Sequence, residues 1–370
     1  MNTRFESKLR FGESVERVAF NIDGVQVRDV TRGSASTIDT VTDSAELLTV
    51  NLEKEAVFHI SDGEMTQAGP LNPGEVIGGK IAHKVAQDLD YRCFSEVVNA
   101  ANTFDAGDLT TLASSGTAIT LSSTTVPQMT TRMSAKLRYA AQQEEQSNLA
   151  FVVDSYAAAD IEQYLLGKDI DIAGSVFKNG YAGIVRNAQL YVSENLQGEV
   201  NLVVDVATAD EVVTIFGVTF TAKATPAVAG EFDVAGSVDA QGAIMANMIN
   251  GAATGKDSAT GYFEVSAADR QILTNAQVVA TYTDATDTLT ITAAGRIIYS
   301  DTMSGTVTNK LHCYFGKKGA IDLVVQDMKP VDMRPTDDRR GTNVFSSYLA
   351  GVKTFADGAK KFLDVWVLVA

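Results

Sequence analysis

Apolar and polar positions alternate along the first sixty residues, the period of a strand with one covered face. Val18, Phe20 and Ile22 alternate with polar or small neighbours, Asp23-Gly24 supplies a tight turn, and Val25 and Val27 continue the alternation on the return. That pattern predicts a β-hairpin. Residues 31–44 are rich in Ser, Thr, Gly and Asp and hold little that could be buried, so they read as the tip and flank of a long arm reaching away from the body. Leu48, Val50 and Leu52, then Val57 and Ile60, restore the alternation in strands that return to the body.

The period changes at residue 72. Asn72 is placed to cap a helix, Pro73 suits its first position and Glu75 closes a capping box, while Ile77, Ile81, Val85, Leu89, Cys93 and Val97 recur every four residues. A helix over about 73–100 is predicted, roughly 40 Å long at about 1.5 Å per residue. Its other face carries Lys80, Lys84, Asp88, Arg92 and Glu96, so it lies across a surface. Two shorter helices follow. The first, over 126–145, has Met129, Met133 and Leu137 in register, and the second, over 155–166, is capped by Asp154 and carries Ile161 and Leu165. A strand at 149–153 separates them, and the turn dipeptide Asn179-Gly180 precedes another at 189–192.

From about 200 to 309 the composition shifts to Val, Thr, Ala and Gly, with strand-like runs at 211–220, 278–282 and 288–292 and one helix at 240–249. This reads as an inserted β-rich domain. Residues 321–325, 351–355 and 362–369 return to strand patterns, and the charged stretch 332–340 joins the first two. The fold class expected is therefore α+β.

A chain of 370 residues fits two or three lobes, and 45% hydrophobic with 21% charged residues is far from the signature of disorder. The net charge of −16 repels phosphate, which argues against a sequence-reading DNA-binding or membrane-surface role and leaves open a locally basic patch. Residues 1–11 alternate in charge and no apolar run approaches a membrane span, so neither a signal peptide nor a membrane segment is expected. Cys93 and Cys313 sit in apolar contexts that suit buried thiols in a reducing cytosol.

Catalytic patterns fail one by one. The three histidines, His59, His83 and His312, form no HExxH and no Cys-plus-His spacing. Residues 251–256 (GAATGK) are one residue short of a phosphate loop and are followed by Asp257 where Ser or Thr is needed. Asp169 and Asp171 before Gly174 suggest a calcium loop, yet Ala173 and Gly180 occupy ligand positions. No Gly-x-Ser-x-Gly elbow is present. No catalytic, cofactor-binding or metal-ligating residue is assigned, no cofactor is implied and no enzyme is expected.

The order of an extended arm, a long helix, helix–strand–helix and then VFKNGYAGIVRNAQLYVSENL (residues 176–196) resembles the Hong Kong 97-type capsid fold of tailed bacteriophages. GKKGAIDLVVQ (316–326) and YLAGVKTFADGAKKFLDVWV (348–367) are similar to closing strands of that family's axial domain. The resemblance implies four parts: an N-terminal arm and extended loop at 1–72, a spine helix with peripheral domain and the start of the axial domain at 73–199, the insert at 200–309, and axial-domain strands at 310–370. It also implies a major capsid protein that assembles into pentamers and hexamers of an icosahedral head shell enclosing double-stranded DNA. The location implied is the virion, with assembly in the host bacterial cytoplasm. A separate scaffolding protein is expected, because the long N-terminal scaffolding segment of some members is missing; a portal and a decoration protein are further partners. DNA would be touched without sequence reading. Lys80, Lys84 and Arg92 could face it, although a solvated or intersubunit face is the simpler reading, and Arg334, Arg339 and Arg340 interleave with Asp337 and Asp338 as in an intersubunit loop. The alternatives are an encapsulin-like compartment shell and another virion part such as a tail or decoration protein.

Overall fold

The computed structural model describes residues 14–21, 28–29, 39, 42–67, 73–141, 148–166, 181–185, 188–251, 261–335 and 340–369. In chain order the elements begin with β1 (Ser14–Asn21), β2 (Thr42–Thr49), β3 (Leu52–Ser61), α1 (Asp62–Gln67), α2 (Pro73–Ser95) and β4 (Asn102–Phe104). Next come α3 (Thr125–Ala141), β5 (Leu149–Val153), α4 (Ser155–Leu166), β6 (Tyr181–Val185), β7 (Ala188–Val192) and β8 (Gln197–Val203). Then follow β9 (Val212–Ile215), β10 (Val218–Lys223), β11 (Glu231–Asp233), α5 (Val238–Asn250), α6 (Ala267–Asn275), β12 (Val279–Thr283) and β13 (Thr288–Ala294). The chain closes with β14 (Tyr299–Asp301), β15 (Val307–Lys317), β16 (Asp322–Pro335), β17 (Gly341–Lys353), α7 (Ala356–Ala359) and β18 (Phe362–Leu368). Helix and strand coexist as an α+β chain, in two compact units: 1–101 with 318–361, and 102–317 with 362–370.

The first unit is a three-stranded antiparallel sheet, β16-β17-β3, with α2 on one face. Along β17 the side chains of Val344, Ser346, Tyr348 and Ala350 are buried and their neighbours half-buried, the alternation of a sheet covered on one side. Val85, Leu89 and Cys93 of α2 pack on Leu323, Tyr348 and Ala350, and the Tyr348 hydroxyl donates to Asp88 of the same helix. Of the predicted four-residue repeat, Val85, Leu89, Cys93 and Val97 are buried and Ile77 and Ile81 half-buried. The α-helix stops at Ser95 and tightens into a 3-10 turn over Glu96–Asn99, so its end falls short of residue 100 as an α-helix. The predicted cap, Asn72, lies outside the described residues.

β1 and β2 form a separate two-stranded antiparallel ladder, from Ser14 opposite Thr49 to Asn21 opposite Thr42. The return strand expected at Val25 and Val27 lies outside the described residues; the partner β1 has in the structure comes twenty residues later, which makes the connection a long one. Val15, Leu48 and Val50 seat the ladder on Val324 and Phe355. Gly351 of β17 is required there, because a Cβ would stand 2.5 Å from the Thr49 carbonyl oxygen.

The second unit is organised by β15. β18 lies antiparallel along its length from Lys310 to Gly316, while β8 pairs with residues 307–312 and β5 with 314–317. β7 joins β5 in parallel, as does β4 to β18. Beyond β8 the sheet continues into β13 and β12. All five residues of β5 are buried, and Asp154 just after it caps α4 by accepting from the Ala157 N–H at 3.0 Å, as predicted.

β8 ends and β15 begins side by side, with Leu202 opposite Val307 and the Val203 N–H donating to the Thr306 carbonyl at 3.0 Å. The intervening chain forms its own four-stranded sheet, β11-β10-β9-β14, and packs α5 and α6 on a core that includes Phe220, Phe232, Met245, Met248, Tyr262 and Ile291. The run at 211–220, expected as one strand, is split into β9 and β10 by a turn in which Phe216 and Gly217 take φ of 51° and 82°. α6 had no counterpart in the sequence reading. Arg270 of α6 caps the end of α5, donating to the Ile249 and Met248 carbonyls at 2.6 and 2.8 Å while pairing with Glu264. Arg270→Ala strips those carbonyls of donors and leaves the Glu264 carboxylate without its counter-charge, so urea unfolding should show a loss of about 1–3 kcal/mol; an unchanged midpoint would contradict the assignment.

Candidate assembly surfaces

The base of the β1–β2 ladder is held by its own unit through charge. The Arg17 guanidinium stands 3.4 Å from Asp322, pairs with Asp357 and lies over the Phe355 ring at 5.2 Å. Burial works against ionising Asp357, but Lys361 and Arg17 outweigh it and hold the carboxyl below the usual range. Lys353 donates to the Leu47 carbonyl at 2.7 Å, and Glu46 accepts from the Ala356 N–H at 3.0 Å. Further out, Arg28 and Asp39 form a two-bond pair at 2.9 and 2.6 Å. The strands therefore leave from a rigid seat.

On α2, Lys80, His83 and Lys84 are exposed, while Arg92 is half-buried, over the Tyr91 ring and 3.8 Å from Asp88. Arg334 pairs with Asp332 at 2.6 Å on β16, inside the stretch read from sequence as a charged connection. Arg340 is exposed; Arg339, Asp337 and Asp338 lie outside the described residues. So does the calcium-like segment at 169–180. Of residues 251–256, Gly251 ends α5 with φ 64° and the rest lie outside. His59 meets the Asn343 amide oxygen at 2.8 Å in ordinary strand pairing. Cys93 and Cys313 are buried thiols, and burial pushes Cys93 up to about 12. Among the described residues no three His, Cys, Asp or Glu side chains gather as a metal centre.

The sequence reading passed over a charged network on the second unit. The β8–β15–β18 register brings Glu199, Lys310, His312, Asp364 and Trp366 onto one side of the sheet. His312 is 2% exposed, with Nδ1 2.8 Å from Asp364 and Nε2 3.1 Å from Glu199. Lys310 reaches Glu199 at 3.0 Å and stands 3.6 Å from the centre of the Trp366 ring, whose Nε1–H donates to Asp364 at 2.7 Å. Asn201 donates to Glu199 at 2.6 Å and accepts from the Thr290 hydroxyl at 2.8 Å, which carries the network to β13. Burial opposes charge on His312, yet the two carboxylates raise it to about 9. Burial likewise opposes Glu199, and His312 and Lys310 bring it down to about 2. The signal in the sequence was the spacing Lys310-x-His312 against Asp364-x-Trp366, legible only once the strands are known to pair.

Beside the network the same sheet side opens into a groove of about 550 Å³, lined by Glu199, Asn201, Val203 and threonines of β12, β13 and β15. It is open. The side chains on the opposite side of these strands, Val200, Leu202, Leu289 and Ile291 among them, belong to the buried core.

No protein-family model matches the chain, and no curated protein does. Solved structures do resemble it. A structure of Mycobacterium phage Che8 is 13% identical with a TM-score of 0.47, over 97% of this chain and 86% of that one. The capsid of cyanophage P-SCSP1u is 10% identical with a TM-score of 0.47, over 97% and 84%. The capsid of Ralstonia phage GP4 is 9% identical with a TM-score of 0.45, again over 97% and 84%. Identity at that level leaves the functional reading to the chain's own residues.

The network makes a pH prediction. His312 holds its proton to about pH 9 when folded against an ordinary 6.5, so its contribution is complete below 6.5 and is lost as pH rises through 9. Glu199 sits at about 2 against 4.5, so its contribution is complete above 4.5 and is lost as pH falls through 2. His312→Gln should cost about 3 kcal/mol or more by leaving two carboxylates facing a neutral group. Urea unfolding against pH should show the gap to wild type largest between 4.5 and 6.5 and closing through 9; a gap of the same size above pH 9 would contradict the ion network.

Proposed function

We propose that this chain is the major capsid protein of a tailed bacteriophage, a Hong Kong 97-type subunit that builds the icosahedral head shell around double-stranded DNA. The observation that carries the reading is the β1–β2 ladder. It is fixed at its base by Arg17, Glu46, Lys353 and Phe355, and among the described residues its strands pair with each other alone. A two-stranded ladder is marginal in water without a third surface. The connection it carries, residues 22–41, holds Arg28, Asp29, Arg32 and Asp39 among Ser, Thr and Gly, with few large apolar groups. Fixing such a backbone costs about 1 kcal/mol per residue, more than local contacts of this kind offset. A closed symmetric shell offers a neighbour to each arm.

In this reading 1–72 is the arm and extended loop, 73–199 the spine helix, peripheral domain and start of the axial domain, 200–309 the inserted domain and 310–370 axial strands. Copies gather as pentamers and hexamers, a separate scaffolding protein guides them, and a portal and decoration protein complete the head. DNA inside is met without sequence reading. The shell forms in the host bacterial cytoplasm and ends in the virion, and the chain performs no catalysis.

Expression with and without its scaffolding partner, followed by sedimentation and electron microscopy, tests the reading. Closed particles are expected, and a strictly monomeric protein under co-expression would contradict it. Deleting residues 31–42 should leave near-normal circular dichroism while strongly reducing shell yield; shells at wild-type yield would remove the arm from the account.

A further inference from the structure

The sequence holds two Asn-Gly dipeptides, at 179–180 and 250–251. In such a pair the glycine nitrogen, hindered by no side chain of its own, attacks the asparagine side-chain carbonyl carbon. A cyclic imide forms and ammonia leaves. Water then opens the ring to aspartate or isoaspartate, so the reaction needs no other partner. Asn179 lies outside the described residues. Asn250 is the last residue of α5 and is exposed to water, and its surroundings decide whether it can react.

The Asn250 amide takes the place of a neighbouring strand. β12 ends its sheet, with β13 on one side; on the other, the Ala280 N–H donates to Asn250 Oδ1 at 2.8 Å and the Ala280 carbonyl accepts from Asn250 Nδ2 at 2.7 Å. Both ends of the amide are thereby held on β12. Gly251, with φ 64°, donates its N–H to the Met248 carbonyl at 3.2 Å. Arg270 braces the same turn: it donates to the Ile249 and Met248 carbonyls, and a Cβ on Gly251 would lie 2.8 Å from its Cζ. Ring closure requires these contacts to be undone. The Asn250 side chain has to leave Ala280, its backbone has to rotate out of the helix, and the Gly251 nitrogen has to give up the proton it shares with Met248.

We propose that Asn250 is a deamidation site closed by the fold, which reacts only when the end of α5 comes off β12. The product cannot restore the clasp. An aspartate offers the Ala280 carbonyl no donor and sets a carboxylate beside it, and an isoaspartate adds a carbon to the main chain before Gly251. A single opening followed by reaction therefore marks this helix end permanently and uncovers main-chain groups on the edge of β12. The inference is independent of the shell reading.

The test is to incubate the full chain at mildly alkaline pH, folded or in guanidinium chloride, and to follow Asn250 by peptide mapping and mass spectrometry. Asn179 in the unfolded chain calibrates the unprotected rate. Folded, Asn250 should react at least about tenfold more slowly than in the denaturant. Equal rates in the two states would overturn the protection, and an Asn250 that stays intact when unfolded would remove the site. Arg270→Ala should speed the reaction of the folded chain severalfold, and an unchanged rate would show that the end of α5 does not control it. Should that variant fail to fold, Asn250→Asp supplies a second measurement. As the reaction product it should unfold at lower urea than wild type, and a wild-type midpoint would contradict the clasp.

Discussion

The second unit depends on a buried imidazolium. His312 sits in the middle of β15, with β18 on one edge of that strand and β8 on the other, and its two ring nitrogens face a carboxylate from each. An isolated buried charge would cost several kcal/mol. Here three strands distant in sequence must pair in register before the charge is compensated, which ties residues 197–203, 307–317 and 362–368 to one arrangement. Neutral, well-packed substitutes are often as stable as such networks, so net stability alone does not account for the ions.

That register also explains how a long intervening segment is tolerated. Chain leaves β8 at Val203 and enters β15 at Val307, next to where it left, so roughly a hundred residues, β12 and β13 of the same sheet among them, close a loop whose ends are already fixed, and closure costs grow only slowly with length. The segment repays its own ordering through the core around Phe220, Phe232 and Met245. In the first unit the analogous anchor is Arg17, which holds the β1–β2 ladder to Asp322 and Asp357 beside a glycine that lets two backbones meet.

Much of the local structure was legible. α2 starts at Pro73, β5 spans Leu149–Val153 and α4 opens behind its Asp154 cap, because caps and strong periodicity are written in adjacent residues. The pairing of β1 with β2 was not, since Asp23-Gly24 is a sound turn signal and nothing nearby marks Ala45 as the partner of Val18. Residues 321–325 and 351–355 read as short strands; they fall at the start of β16 and the end of β17, and the charges along β16 mask it as an edge strand. The Phe216-Gly217 turn was hidden because Phe takes a positive φ there. His312 read as an ordinary histidine, because its partners lie more than a hundred residues upstream and some fifty downstream.

Assembly through the arm is the account's central claim, and hydrogen exchange over residues 22–41, compared between free subunits and assembled particles, tests it most directly. The account predicts fast exchange in the free subunit and strong protection in the particle, gained nowhere else to the same degree within 1–101. Equally fast exchange in both states would show that the arm clamps nothing, and equally slow exchange would place its partner within its own chain.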